Sequence, residues 1–221
     1  MSTLDAPTRV LFDLDGTLVD SSPGIFHSFR ATLNDLGLTA SPEQLRDLIG
    51  PPLWHSFASL GVADDALDDA VQRYRTYYEH EGVLAATLYP DMATVLHTLR
   101  ERGVHLAVAT AKRVDFAVTM LTHLGVADLF DRIAGADVGL RQSDKYEIMT
   151  DAMAAWPAID PATCWMVGDR RYDVEGARRH GVQAVGVTWG FGDTAELIDA
   201  GATAIVGEPH ELLGSPTIIA H

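Results

Sequence analysis

The sequence predicts an α/β fold, a doubly wound and mostly parallel sheet that carries an inserted bundle of helices. Short β-rich apolar runs recur along the 221 residues and alternate with stretches of helical periodicity. Strands that alternate with helices form parallel β-α-β units, and ligands bind beyond the carboxyl ends of such strands. The predicted strands cover residues 9–12, 104–110, 163–167, 184–187 and 202–206.

Helices are predicted between several of these strands. Residues 90–102 and 114–124 place apolar side chains at helical spacing, and each run ends at a glycine, Gly103 or Gly125. A third helix is predicted over residues 173–180. These helices supply the layers that a parallel sheet needs on its faces.

One segment interrupts the alternation. Residues 20–84 contain no convincing strand, only amphipathic stretches such as 25–36 and 66–78. Their length suits a small helical bundle. We therefore predict a core domain formed by residues 1–19 and 85–221, and a helical cap domain over residues 20–84.

Composition limits the expected cellular location and the expected classes of binding partner. Acidic residues outnumber basic residues 31 to 16, and the net charge of −15 disfavours nucleic acid and anionic membrane as partners. Apolar runs are too short to span a bilayer, the first ten residues do not resemble a signal peptide, and the single cysteine, Cys164, cannot form an internal disulfide. We expect a cytoplasmic protein that is a monomer or a homodimer.

Two carboxylates follow the first predicted strand. Asp13 and Asp15 are two residues apart, a spacing that puts both side chains on one face. The backbone N–H groups of Gly16 and Thr17 could face an anion. One carboxylate could attack phosphorus while the other handles the proton of the leaving group. An acidic loop with an Asx-turn is the simpler alternative.

A second acidic pair follows the strand at 163–167. Asp169 ends that strand, and Asp173 comes four residues later. Magnesium prefers near-octahedral oxygen ligands, so Asp13 and Asp169 could supply two of them from different strand ends. Asp173 could also serve as a helix cap or as a first-turn charge.

Lysine is scarce in this chain. Of the 16 lysine and arginine residues only two, Lys112 and Lys145, are lysines. A lysine in a chain that otherwise uses arginine suggests that its position needs the compact ammonium group. Lys145 could offset repulsion between an attacking carboxylate and a phosphoryl group. Thr110, at the end of a strand, could donate to a phosphoryl oxygen or bond locally. Lys112 suits a solvated surface role as well as a functional one.

These motifs, in this order, resemble the haloacid dehalogenase (HAD) superfamily of phosphatases. Residues 13–19 match its first motif, Thr110 the second and Lys145 the third, and Asp169 with Asp173 matches the fourth. A finer resemblance, to phosphoglycolate phosphatases and bacterial 5′-nucleotidase-like proteins, rests on four further segments. They are residues 20–25, 49–53, 168–177 and 186–192.

The resemblance implies a phosphoric monoester hydrolase with a HAD-like core and a helical cap. Asp13 would attack phosphorus and become an aspartyl-phosphate. Asp15 would protonate the leaving oxygen and later deprotonate the attacking water. Thr110 and Lys145 would grip the phosphoryl oxygens, as such charge-neutralising chemistry requires.

The resemblance also implies the cofactor Mg²⁺. Its ligands would be the carboxylates of Asp13 and Asp169 and the backbone carbonyl of Asp15, with Asp173 in support. The substrate would be a phosphoglycolate-like or 5′-nucleotide-like phosphomonoester. Its predicted contacts, besides Thr110 and Lys145, are Gly16, Thr17 and Gly50.

The sequence departs from the family pattern beside two motifs. Ala111 replaces an asparagine common after the second-motif threonine, and Tyr146 replaces a proline common after Lys145. The second change leaves the placement of Lys145 open. Arg170 and Arg171, beside Asp169, could bind substrate or point to solvent.

Particular residues argue against some of the other activities found in this superfamily, while two alternatives remain open. Asp15 argues against a true dehalogenase, and the absence of lysine from residues 20–84 argues against a phosphonatase. A sugar phosphomutase and a catalytically inactive binding protein remain alternatives. In the predicted cap, Trp54 and Phe57 could contact a substrate or complete the core. Possible partners for a substrate carboxylate are Arg46, Arg73 and Arg75. Tyr74, Tyr77 and Tyr78 could stack on a nucleobase, although helical periodicity explains these aromatic residues equally well.

Overall fold

The chain folds as two compact units, which we call the α/β unit and the helical unit. The structure, a computed structural model, describes residues 2–49, 51–136 and 144–219. Within these ranges the α/β unit comprises residues 2–20, 88–136 and 144–219, and the helical unit comprises residues 21–49 and 51–87. No helix in the described ranges is both long and apolar enough to cross a membrane.

Parallel strands form the centre of the α/β unit. The strands in chain order are β1 (Arg9–Phe12), β2 (Val19–Asp20), β3 (Thr87–Leu88), β4 (His105–Arg113), β5 (Arg132–Ala136), β6 (Cys164–Gly168), β7 (Gln183–Val187) and β8 (Ala204–Val206). Six of them form one sheet in the order β5-β4-β1-β6-β7-β8, and every pairing in it is parallel. The short strands β2 and β3 lie where the chain passes between the units. The predicted fold class is confirmed.

Helices account for most of the remaining structure. In chain order they are α1 (Ser22–Asp35), α2 (Pro42–Asp47), α3 (Leu53–Ser59), α4 (Leu67–Tyr77), α5 (Met92–Glu101), α6 (Val114–His123), α7 (Lys145–Met153), α8 (Arg171–His180) and α9 (Thr194–Ala200). A π-helical turn covers Tyr78–Gly82. Short 3₁₀ segments cover Asp64–Ala66, Val83–Ala85, Ala127–Leu129, Pro161–Thr163 and Pro209–Leu213.

The predicted strands are found within a few residues of their expected bounds, but the two-residue strands β2 and β3 and one strand of the six-stranded sheet, β5, were not predicted. β5 (Arg132–Ala136) alternates between buried and more exposed positions and lies at the edge of the sheet. It therefore lacks the continuous apolar run that marks a strand buried on both faces. β4 extends past its predicted end at Thr110 to Arg113, with a register shift against β5.

The centre of the sheet is fully buried, which fixes where the loops emerge. All five residues of β6 are buried, as are the last three of β1. The two strands are parallel neighbours in which Phe12 pairs with Val167. Their carboxyl ends therefore meet at one edge of the sheet, and the residues that follow each strand lie side by side.

The helical unit is organised around aromatic side chains. Phe29 of α1 packs against Phe57 of α3 and Tyr74 of α4, with ring centroids 5.1 and 4.7 Å apart. Tyr74 stacks on Tyr78 at 5.8 Å. Phe57 is 0% exposed. For these residues the hypothesis of a core role is confirmed, and stacking on a nucleobase is wrong for the buried Tyr74 and Tyr78.

Polar contacts within the helical unit engage other proposed substrate residues. Arg73 pairs with Asp69 at 2.7 Å and also contacts Asp35. The Tyr77 hydroxyl donates to Asp35 at 2.9 Å. Trp54 donates its indole N–H to Asp68 at 2.7 Å, and the Arg75 guanidinium lies over the Trp54 ring. These contacts stabilise the unit itself.

Candidate active site

Three carboxylates converge at the carboxyl ends of β1 and β6. Asp13 follows β1, and its backbone N–H donates to the Val167 carbonyl of β6 at 2.9 Å. Asp169 directly follows β6, and Asp173 lies in the first turn of α8. One oxygen from each of these three carboxylates lies within 4.8 Å of the others. We call Asp13, Asp169 and Asp173 the carboxylate cluster.

The carboxylate cluster is electrostatically crowded. Burial, followed by the charges of Asp13 and Asp173, raises the pKa of Asp169 to about 7. Burial also raises the pKa of Asp173 to about 6, although the ammonium of Lys145 opposes that change. A bound cation would relieve this cost, and hard carboxylate oxygens suit a divalent ion such as Mg²⁺. The residues present therefore fit a divalent metal.

Lys145 provides the positive charge inside this site. Its Nζ lies 2.9 Å from Asp13 Oδ1 and 2.7 Å from Asp173 Oδ1, and it donates to the Ala109 carbonyl at 2.8 Å. Burial alone would favour the neutral amine, but the charges of the two aspartates raise the Lys145 pKa above its ordinary value. The ammonium therefore joins the residue after β1, the middle of β4 and the start of α8.

The start of α7 is fixed without the proline common in the family. Asp144 caps the helix by accepting the Tyr146 backbone N–H at 2.9 Å. The Tyr146 ring stacks on His180 at 4.0 Å, and the Arg179 guanidinium lies 4.3 Å from its centroid. Arg179 also pairs with Asp144 at 2.8 Å. These contacts tie α7 to the end of α8 and so position Lys145.

Asp169 is oriented by the loop after β1 and by the segment after β7. Thr17 donates its hydroxyl to Asp169 Oδ1 at 3.1 Å, and the Phe191 backbone N–H donates to Oδ2 at 2.8 Å. Gly16 has φ of 87°, and a Cβ there would lie 2.3 Å from Asp169 Oδ2. Only glycine satisfies both the backbone angle and this close approach.

The predicted use of two backbone N–H groups requires correction. The Gly16 N–H donates to the Val19 carbonyl at 2.9 Å, and the Thr17 N–H donates to the Leu14 carbonyl at 3.3 Å. Both groups therefore close the loop on itself and do not face an anion. Gly16 and Thr17 contribute to the site by packing against and orienting Asp169. Gly50, predicted to bind substrate, lies outside the described residues.

Asp15 and Thr110 lie beside Lys112. The Lys112 Nζ contacts Asp15 Oδ1 and Oδ2 at 2.9 and 3.0 Å. The Thr110 hydroxyl oxygen accepts the Lys112 backbone N–H at 3.2 Å. Only 8% of the Lys112 side chain is exposed, so a solvated surface role is wrong. The Asp15 carboxylate is not part of the carboxylate cluster.

The two arginines after Asp169 have separate environments. Arg171 is 57% exposed and pairs with Glu175 one turn along α8, so it points towards solvent. Arg170 is more buried and donates to Glu196 at 3.0 Å. Glu196 also accepts the Arg171 backbone N–H at 2.8 Å, which links the start of α8 to α9.

Sequence reasoning found the carboxylates but missed the parts that orient them. The ion pair between Lys112 and Asp15 joins residues 97 positions apart, and lysine scarcity was its only signal. The contact from Phe191 lies in the segment 186–192, which carried the resemblance but no assigned role. Trp189 in the same segment donates to the Thr17 carbonyl at 3.1 Å.

Similarity to known proteins agrees with this geometry. The family model described as haloacid dehalogenase-like hydrolase matches residues 10–187. A tyrosine-protein kinase PtkA from Mycobacterium tuberculosis is 37% identical over 91% of this chain and 69% of its own length. A 5′-nucleotidase from Pseudomonas aeruginosa is 34% identical over 86% of each chain. A phosphoglycolate phosphatase from Neisseria meningitidis is 33% identical over 93% of this chain and 89% of its own.

A solved structure is similar over most of the chain. A haloacid dehalogenase-like family hydrolase from Streptococcus pneumoniae superposes with a TM-score of 0.86 at 35% identity, covering 94% of this chain and 97% of that one. The resemblance stated from the motifs is confirmed, together with the class of enzyme it implies, a phosphatase. The chain therefore belongs to the haloacid dehalogenase-like hydrolase family.

Proposed function

We propose that this protein is a magnesium-dependent phosphatase that hydrolyses a small phosphomonoester through an aspartyl-phosphate on Asp13. One observation carries the proposal. The Asp13 carboxylate belongs to the carboxylate cluster and also contacts the ammonium of Lys145 at 2.9 Å. A carboxylate that attacks a phosphoryl group needs this neighbourhood, because the ammonium and a cation bound by the cluster would offset the repulsion between two anions.

The proposed cofactor site uses Asp13, Asp169 and Asp173. When bound there, Mg²⁺ would neutralise negative charge on these carboxylates and on the phosphoryl oxygens. Thr17 and the Phe191 N–H hold Asp169 in a fixed orientation for this purpose. The Asp15 backbone carbonyl remains a predicted further ligand.

The proposed reaction has two steps. A carboxylate oxygen of Asp13 attacks phosphorus, the ester bond from phosphorus to the leaving oxygen breaks, and that oxygen takes a proton from Asp15. A water molecule then attacks the phosphorus of the aspartyl-phosphate and gives a proton to Asp15, and the bond to Asp13 breaks. Thr110 and Lys145 are proposed to hold the phosphoryl oxygens throughout.

The substrate is proposed to be phosphoglycolate-like or 5′-nucleotide-like. Relatives of similar identity carry those two names, and another is named a tyrosine-protein kinase. Names at this level of identity do not select one substrate. A panel of phosphomonoesters is therefore part of the test.

The test measures phosphate release with Mg²⁺ from phosphoglycolate, 5′-nucleotides, sugar phosphates and p-nitrophenyl phosphate. Asp13→Asn is expected to lower kcat by about 10⁴-fold or more, as removal of a nucleophile does, with unchanged far-UV and near-UV circular dichroism. Asp115→Asn, the same substitution at an aspartate that pairs with Arg113 and does not belong to the carboxylate cluster, should retain activity. Chelation should remove activity, and Zn²⁺ should not restore it.

Different outcomes would contradict different parts of the proposal. Turnover by Asp13→Asn at the wild-type rate would exclude Asp13 as nucleophile. Activity that survives exhaustive chelation would exclude the metal. Phosphate transfer to a second site on a sugar, without release, would indicate a mutase in place of a phosphatase.

A further inference from the structure

We propose that Lys112 is a positioning residue that aims the Asp15 carboxyl group at the leaving oxygen of the substrate. The inference rests on the proposed function, in which Asp15 exchanges protons with the leaving group and with water. It assigns a role to the one lysine that no motif explains. Lys112 would act through Asp15 and would not itself take part in bond breaking.

The first support is the geometry of the contact. The Lys112 Nζ lies within hydrogen-bonding distance of both Asp15 oxygens, at 2.9 and 3.0 Å. Because these two distances are nearly equal, the ammonium is about equally close to the two oxygens and holds both of them. Both side chains are largely buried, 8% and 18% exposed, so water does not weaken this pair as it weakens surface pairs.

The second support is the backbone that places Lys112. β4 continues beyond Thr110, and its register against β5 shifts between Ala109 and Arg113. Gly135 of β5 allows this path, because a Cβ there would lie 2.6 Å from the Lys112 carbonyl oxygen. The Lys112 N–H also bonds the Thr110 hydroxyl. An irregular strand end thus directs the lysine towards the loop that carries Asp15.

The third support is how the lysines are distributed. The chain has two, and each contacts one of the two first-motif aspartates, Lys145 with Asp13 and Lys112 with Asp15. Asp13 belongs to the carboxylate cluster, and the Asp15 carboxylate does not. The contact with Lys112 therefore holds the Asp15 carboxylate apart from the ligands proposed for the metal.

This role predicts which substrates depend on Lys112. An alkoxide is a poor leaving group and needs the proton from Asp15 as its bond to phosphorus breaks, whereas p-nitrophenolate leaves without one. A misaimed Asp15 should therefore slow alkyl phosphates more than aryl phosphates. Damage to folding or to metal binding would slow both classes equally.

The test compares kcat/KM for alkyl, phenyl and p-nitrophenyl phosphates, because kcat/KM reports the step in which the ester bond breaks. Lys112→Met, similar in length but uncharged, is expected to lower it about 100-fold for alkyl phosphates and less than about 5-fold for p-nitrophenyl phosphate. Lys112→Arg should preserve most of the wild-type dependence on the leaving group. Arg113→Met, at the adjacent residue, should leave it unchanged.

A double-mutant cycle separates this role from a general one. In an Asp15→Asn background, Lys112→Met should cause no further loss, because its route of action is gone. Additive losses, or an equal fall across all leaving groups, would overturn the proposal. If Lys112→Met does not fold, Lys112→Gln replaces it in the same comparison. An active Asp13→Asn enzyme would instead contradict the proposed function, whatever the Lys112 variants do.

Discussion

Both units bury polar side chains, and they do so in different ways. Among the described residues, the buried polar side chains of the helical unit are all hydroxyls, those of Ser21, Ser28, Thr32 and Ser56. Those of the α/β unit include four charged groups. The charged groups are Asp13, Lys145, Asp169 and Asp173, and the buried threonines of this unit are Thr17 and Thr110.

The buried polar groups of the two units also differ in how far along the chain their partners lie. Ser28 and Thr32 donate to carbonyls one turn earlier in their own helix, both at 2.8 Å. Such bonds are local and add little to the tertiary structure. Lys145, in contrast, contacts Asp13 from 132 positions away. Buried charge is costly unless paired, so its concentration in the α/β unit is better explained by chemistry than by stability.

The largest expected effect is that of a substitution at Asp169, in the carboxylate cluster. Asp169→Asn is expected to lower phosphatase activity by about 10³-fold or more, through loss of a proposed metal ligand. The same change should raise the melting temperature of the metal-free protein by about 2–4 °C, because it removes one of three crowded charges. The asparagine can still accept the Phe191 N–H. Thermal melts in EDTA check this, and a lower melting temperature would contradict the account.

In the helical unit the large effects should come from packing. A Cβ at Gly24 of α1 would lie 2.0 Å from the Gly82 carbonyl oxygen, so Gly24→Ala should cost about 3 kcal/mol of unfolding free energy. Ser28→Ala, one turn along, loses a local hydrogen bond and should cost about 0.5–1 kcal/mol. Urea unfolding measures both. Equal losses would mean that hydroxyl burial matters here as much as close packing.

A smaller effect on stability, one that depends on pH, is expected in the α/β unit at Asp131. Burial alone would raise the Asp131 pKa, but hydrogen bonds from Trp156 and His105 and the charge of Arg100 lower it below its ordinary value. The folded pKa is below the unfolded one, so this stabilisation is present above about pH 4 and is lost as pH falls through the folded pKa.

Asp131→Asn should therefore cost about 1–3 kcal/mol at pH 7, since in either orientation the asparagine N–H₂ would face a donor, the Trp156 N–H or the Arg100 guanidinium. The difference from the wild type should shrink below about pH 4. Unfolding free energies measured from pH 3 to 8 check this. A difference that stays constant down to pH 3 would exclude ionisation of Asp131 as its cause.

The sequence was most informative where function follows from strand ends. Asp13 and Asp169 each follow a predicted strand, and two adjacent parallel strands must bring such residues together. The alternation of strands with helices predicted the parallel sheet, because such alternation forms β-α-β units. β5 escaped prediction because an edge strand does not need a continuous apolar run.

The remaining errors come from contacts between distant parts of the chain. The bond from Gly16 to Val19 depends on how the loop closes, which the residue types alone do not reveal. The stacking of Tyr146 on His180 compensates for a missing proline, but its partner lies on another helix. Lys112 was left undecided because burial is a property of the fold.

The distribution of lysine has a practical consequence for handling the protein. Both lysines are at least nine-tenths buried, so the ordinary surface carries its positive charge on arginine. Amine-directed reagents should therefore find no readily accessible lysine on the folded protein. Acylation of Lys112 or Lys145 would then report exposure of the candidate active site, and the rate of that labelling would measure how often these two side chains become accessible.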